Sequence, residues 1–239
     1  MVFIIFWFFS SNKSELKIKT YHLSLKKPIV KEITSLGSIT LARQATVSIT
    51  YLLMNNILYN YGGEVSVTAY AIVGRMMMFS LFPVYGITQG FLPIAGYNFG
   101  AKNFERVKEV IYLAIKYASF FATLVFLVLM IFPEEITKVF TSDVDVIRET
   151  PAAMRWVFLA TPIIAIQLIG AAYFQGIGKA KTGLILALLR QGILFVPLIL
   201  ILPLFFGETG AWASFPISDL FATIITGVVL NREIKKRLV

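Results

Sequence analysis

No cysteine occurs anywhere in the 239 residues, so neither a disulfide framework nor a thiolate metal site is available. The one histidine, His22, sits in a Lys-rich loop, where solvation is enough to explain it. Charge is scarce: Asp, Glu, Lys and Arg make up 15% of the chain, against roughly 25% in soluble domains. The apolar stretches hold no His/Asp/Glu cluster, nucleophile elbow or Walker-type phosphate loop. These absences exclude an ordinary soluble domain, a metal- or nucleophile-based enzyme and an ATP-driven pump. Ion gradients remain as the energy source for work across a membrane.

What the chain has in abundance is apolar length. Hydrophobic residues are 57% of the sequence, and they gather in runs of about 20 residues, enough to cross a bilayer core of about 30 Å as helices. Six spans are expected, near Ile33–Asn60, Val65–Leu92, Glu109–Phe132, Ala152–Phe174, Thr182–Leu204 and Ala211–Leu230. The fold class is therefore an all-α integral membrane protein with a six-transmembrane-helix bundle, in which every backbone group is satisfied internally. No segment alternates like a membrane β-barrel strand. Turns are expected at Tyr61-Gly62-Gly63, Gly176-Ile177-Gly178 and Gly207, where glycine allows a positive φ. The acidic connection 133–150 has room for a short amphipathic helix.

The formal charge of +9 is not a nucleic-acid signal, because its placement follows the loops. One side collects Lys13, Lys17, Lys19, Lys26, Lys27, Lys31, Lys102, Arg106, Lys108, Lys179, Lys181, Arg232, Lys235, Lys236 and Arg237. The other carries Lys138 and Arg148 among seven acidic residues from Glu64 to Glu208. Lys/Arg bias in short loops marks the cytoplasmic side, which puts both ends of the six-helix unit inside. Three segments result. Residues 1–11 read as the truncated end of a preceding transmembrane helix, since Met1–Phe9 is too short to span and lacks signal-peptide features. Residues 12–32 form a basic cytoplasmic linker ended by Pro28, and 33–239 form the six-helix lobe.

Polar residues inside the spans are the functional candidates. Thr40, Gln44, Ser48, Tyr51 and Asn55 recur every three to four residues and share a helical face. Such a stripe turns away from lipid, either to line a substrate cavity or to hydrogen-bond neighbouring helices. On the second span Arg75, Phe82 and Gln89 lie seven apart, beside Met76-Met77-Met78; Met78 is a flexible, polarizable contact for apolar ligands, and at least one of the three methionines must pack elsewhere. Arg75 near mid-membrane costs about 2.5–3.5 kcal/mol on the mildest scale. Asp219 is the only carboxylate inside any span. It has two readings: a proton-coupling group, or a fixed counter-ion for Arg75 or Arg190. Arg43, Lys116 and Arg155 are close enough to span ends to snorkel.

One segment has a wider meaning. Pro93-Ile94-Ala95-Gly96-Tyr97-Asn98-Phe99-Gly100-Ala101-Lys102, followed by Arg106-Val107, closes an apolar run and opens a basic loop. Pro93 and Gly96 permit a kink and close packing; Asn98 and Gly100 are natural helix-stop residues. The segment resembles the signature of the MATE family (multidrug and toxic compound extrusion), drug/cation antiporters of the inner or plasma membrane. Gly37, Arg43-Gln44, Asn55-Asn56, Tyr61-Gly62-Gly63, Gln175-Gly176-Ile177-Gly178-Lys179-Ala180-Lys181, Leu189-Arg190-Gln191 and Gly210-Ala211-Trp212 are similar as well, in order and spacing.

The resemblance implies twelve helices in two six-helix lobes, with substrate exchanged across the cleft between them. This chain then corresponds to the C-terminal lobe. Its partners are membrane lipid, small-molecule organic cations or drugs, and an N-terminal lobe; H+ or Na+ serves as coupling ion, with no other cofactor. Some members place cation-binding acids in helices seven and ten. Here the corresponding Asp-Ala-x-Gln segment reads Ile164-Ala165-Ile166-Gln167, which removes the carboxylate and leaves Gln167 as a cleft candidate. A transport-inactive remnant or partner module is the alternative reading, and a lipid-linked saccharide flippase a third, for which a larger and more basic cavity is expected.

Overall fold

The computed structural model describes residues Trp7–Phe8 and 26–237, and no strand occurs among them. Most of Met1–Phe9, the greater part of the linker 12–32 and His22 lie outside the described residues, as do the side chains of Thr40 and Arg43. The chain forms two units, Met1–Ala42 and Arg43–Val239; packing is described within the second.

Helix α1 runs Lys27–Gly100, α2 Phe104–Ile131, α3 Pro133–Phe140, α4 Val144–Phe158, α5 Ile164–Gly176, α6 Ala180–Leu188 and α7 Phe195–Arg237. A 3₁₀ turn, Thr161–Ile163, joins α4 to α5, and a π turn, Leu189–Ile193, joins α6 to α7. Among the described residues, four continuous stretches are long and apolar enough to cross a membrane: Gln44–Gly100, Phe104–Ile131, Val144–Gly176 and Ala180–Arg237.

Two of these stretches cannot be single straight crossings. Gln44–Gly100 has 57 residues, about 85 Å of helix at 1.5 Å per residue against a core of about 30 Å. Each long stretch is broken at one glycine outside helical dihedrals, Gly63 at φ 67° and Gly207 at φ 58°. An L side chain resists that left-handed region, so glycine is what permits the turn. The chain folds back at both points. The rings of Tyr51 and Tyr70 lie 4.9 Å apart, although 19 helical residues would separate them by about 28 Å. A Cβ placed on Gly210 would meet the Leu202 carbonyl.

Two further departures from regular helix have local causes. Pro162 has no N–H for the carbonyl of Phe158, and its ring crowds that carbonyl. The expected continuous span 152–174 is accordingly interrupted between α4 and α5, where the Leu159 and Ile163 N–H groups bond three residues back. At the end of α1 the left-handed residue is Lys102, φ 57°, rather than Asn98 or Gly100. The Lys102 and Asn103 N–H groups bond the Phe99 and Asn98 carbonyls at 3.0 and 2.9 Å, a Schellman-type cap built on lysine. Asn98 instead spends its amide on the Ile94 carbonyl inside the helix.

The core divides into two clusters. One surrounds Val107, Ile111, Ala114, Ala118 and Ala122, an α2 stripe whose small residues let α5 approach closely. The other is built from larger groups, including Met54, Tyr70, Met154, Phe158, Phe195, Trp212 and Phe215. The signature segment falls in the first. A Cβ on Gly96 would sit 2.8 Å from the Gly176 carbonyl oxygen, and one on Gly176 would sit 3.1 Å from that of Leu92. Backbone therefore lies on backbone there. In the acidic connection, α3 places Glu134 and Glu135 in its first turn and Lys138 in its last, favourable with the helix dipole. Hydrogen bonding from Lys138 lowers the Glu134 pKa.

Candidate functional site

The π turn is the structural centre of the site. Its wider ring runs from the Leu194 N–H to the Leu189 carbonyl at 3.0 Å, and such single-turn bulges leave neighbouring carbonyls without their usual helical donors. Other helices supply two of them: the Ser218 hydroxyl donates to the Arg190 carbonyl at 2.7 Å, and the Thr50 hydroxyl to the Gln191 carbonyl at 3.0 Å. The turn thereby ties α1 and α7 together and fixes the direction of the Arg190 side chain.

Arg190 Nε donates to Asp219 Oδ1 at 2.6 Å, with both side chains over nine-tenths buried. Two charges in a low-dielectric interior are tolerable only when paired at such geometry. Arg75 plays no part in this pair. Its guanidinium stands over the Phe140 ring, 5.8 Å from the centroid, and its side chain is exposed, so a cation–π contact with α3 replaces the carboxylate partner weighed for it.

Two cavities share Arg190 as a wall residue. The first, of about 330 Å³, is walled by Tyr51, Tyr70, Met77, Met78, Leu81, Phe195 and Phe215, with Asp219 and Arg190 as its charged members. The second, of about 310 Å³, is walled by Gln44, Thr88, Gln89, Gln167, Gln175 and Gln191, with Arg190 as its charged member. Val47, Tyr85, Arg190 and Gln191 belong to both walls. A void of about 10 Å³ touches the pair from the side of the Pro162 break, bounded by Ser80 and Thr161.

The sequence candidates are sorted by this geometry. Tyr51, Met78, Arg190 and Asp219 fall on the first cavity; Gln44, Gln89, Gln167 and again Arg190 on the second. Ser48 lines neither and donates its hydroxyl to the Gln44 carbonyl one turn back. Asn55 and Arg75 also stand outside both walls. The cavity face of α1 passes through residues 44, 47, 50 and 51; Ser48 stands at the edge of that face, and Asn55 lies a full turn beyond Tyr51 along the helix. Of the three methionines, Met76 packs against the aromatic core without lining a cavity, while Met77 and Met78 line one. Tyr85, Thr88, Gln175 and Gln191 were not among the sequence candidates. Tyr85, Thr88 and Gln89 lie on successive positions of one helical face, and that spacing was the available signal.

Gln167 is 1% exposed. Its Nε2 donates to the Leu186 carbonyl at 2.9 Å, and its Oε1 has no hydrogen-bond partner among the described residues. Among the described residues no three Asp, Glu or His side chains gather as a metal site would require.

The MatE protein-family model matches residues 40–201. The chain belongs to the MatE family. Its relatives include the multidrug export protein MepA of Staphylococcus haemolyticus, 23% identical over 92% of this chain and 47% of that protein. MepA of Staphylococcus aureus strain MSSA476 is 23% identical over 96% of this chain and 50% of its own length. Among solved structures, the MATE multidrug transporter DinF-BH is 36% identical, with TM-score 0.82 over 99% of this chain and 53% of that one. The chain thus spans about half the length of the MatE relatives it matches. Family and apolar helices together make it a multi-pass membrane protein.

Proposed function

We propose that this MatE chain is one lobe, the C-terminal one, of a secondary active exporter of apolar organic cations or drugs driven by exchange for H+ or Na+. The observation that carries this reading is the Arg190–Asp219 pair set in the wall of an aromatic and methionine-lined cavity. Aromatic faces and thioethers accept varied apolar rings, and the aromatic faces of the wall can also attract a cation. Protonation of Asp219 would release Arg190 and change the electrostatics of that wall. The titratable and charged groups that share this wall with the carboxylate are Arg190, its partner, and Tyr51, Tyr70 and Tyr85.

The reversals at Gly63 and Gly207 divide the four apolar stretches into six crossings in this proposal, with both ends of the bundle at the cytoplasmic face of the plasma membrane. Half-length similarity to the MatE relatives supports a complementary N-terminal lobe as partner.

The test is uptake of tetraphenylphosphonium into everted membrane vesicles of cells making the whole transporter, where export from the cytoplasmic face appears as accumulation, under imposed pH or Na+ gradients. With Asp219→Asn, uptake under a pH gradient should fall at least tenfold and lose its pH dependence. Export that is unchanged at every pH would refute coupling through Asp219. Absence of uptake by the unaltered protein would favour an inactive module.

A further inference from the structure

The two cavities share a wall but not a chemistry, and the second has no role in the reading above. Five glutamines converge on it: Gln44 and Gln89 from α1, Gln167 and Gln175 from α5, and Gln191 from the π turn. Among the described residues no Asp or Glu lines it, and the one charged residue of its wall, Arg190, already gives its Nε to Asp219. A cation entering there meets a guanidinium and no counter-charge. An anion meets a guanidinium already held by a carboxylate at 2.6 Å. What the wall does supply is carboxamide, which both donates and accepts and carries no charge.

Gln167 sharpens this. Its donor side is fixed on the Leu186 carbonyl, while its Oε1 is buried without a donor. Buried acceptors are nearly always satisfied, and Gln167 is itself a wall residue of the cavity of about 310 Å³, so a turn of its side chain would bring the Oε1, enclosed as it stands, to an N–H or O–H of a small ligand.

We infer that the glutamine-lined cavity is a separate subsite for an uncharged group rich in hydrogen-bond donors, such as an amide or polyhydroxyl arm. Tyr85 and Gln191 belong to its wall and to that of the aromatic cavity. This inference rests on the reading of the chain as a ligand-binding transporter lobe. It adds that neutral, donor-bearing molecules and apolar cations are held by different residues. A molecule with both an aromatic plane and an amide or hydroxyl arm can occupy both cavities at once.

The experiment measures equilibrium binding to the purified chain in lipid nanodiscs, using two probes. Chloramphenicol is neutral and carries an amide N–H and hydroxyls; tetraphenylphosphonium is an apolar cation without donors. Gln167→Met removes the buried acceptor at similar volume, and Gln89→Ala removes an exposed wall amide whose loss leaves the core intact. Each should weaken chloramphenicol roughly fivefold or more, the usual effect of one lost hydrogen bond, and leave tetraphenylphosphonium within twofold. Chloramphenicol binding that is undetectable in the unaltered chain, indifferent to both substitutions, or lowered in step with tetraphenylphosphonium overturns the subsite. Loss of tetraphenylphosphonium binding alone would count against the cation-export reading and leave the subsite standing.

Discussion

Two segments of this bundle make opposite use of irregular backbone. The stretch Pro93–Lys102 resembles a family signature and does no chemistry in the structure. Its Gly96 lies so close to the Gly176 carbonyl that a Cβ would sit 2.8 Å from the oxygen, and its end is a hydrogen-bonded cap. The five residues Leu189–Ile193 carry a charge into the apolar interior on a π turn, whose free carbonyls are taken up by Ser218 and Thr50. The first segment sets the distance between helices. The second spends its backbone polarity on aiming Arg190 at Asp219. A family fingerprint therefore points to where helices must touch, and the site lies where the helix departs from its own period.

The contrast can be broken most forcefully at the second segment. Arg190→Met leaves Asp219 buried without its partner, a change that costs about 3–5 kcal/mol in proteins. Monodisperse yield in detergent should collapse. Normal yield and an unshifted melting temperature would mean that the pair is not needed for folding. At the first segment, Gly96→Ala should cost about 1–3 kcal/mol by overpacking, because the obstructing atom is backbone and cannot rotate away. Thermal unfolding followed by size-exclusion chromatography reads this, and a stability equal to that of the unaltered chain would remove the close-contact account. The smallest effect is expected at the cap. Lys102 holds a left-handed conformation that costs an L residue roughly 1–2 kcal/mol, partly offset by its lower chain entropy relative to glycine. Lys102→Gly should stabilise by about 0.5–1 kcal/mol, while a loss of stability would show that the lysine side chain outweighs the backbone strain.

Much of the architecture was legible beforehand, and for physical reasons. Apolar length marks membrane helices, and Gly63, Gly178 and Gly207 take the positive φ that their turns demand. Asp219 stood out because it is the lone carboxylate inside a span, although two arginines competed for it. The choice between them was hidden because it depends on the π turn. Leu-Arg-Gln-Gly-Ile carries no marker distinguishing a five-residue ring from an ordinary helix. Arg75 was weighed equally with Arg190 for that carboxylate, and its contact with the Phe140 ring on α3 was not foreseen, because sequence spacing does not show which ring comes within reach. The polar stripe of α1 was read as one face, yet cavity walls select Gln44 and Tyr51 and pass over Ser48 and Asn55. Sequence spacing determines the helical face, while the angle at which neighbouring helices cross it determines which residues on it reach a cavity.

The central claim is that neither Arg190 nor Asp219 is tolerated in the interior without the other, and that the pair is the coupling element of the proposed exporter. The direct test is pH-gradient-driven tetraphenylphosphonium efflux by the double variant Arg190→Met with Asp219→Leu. Removing both charges together should restore much of the yield lost with Arg190→Met alone, since no buried charge is left unpaired. The account predicts a well-folded double variant with no gradient-driven efflux. A double variant that folds and still exports in response to a pH gradient would contradict it.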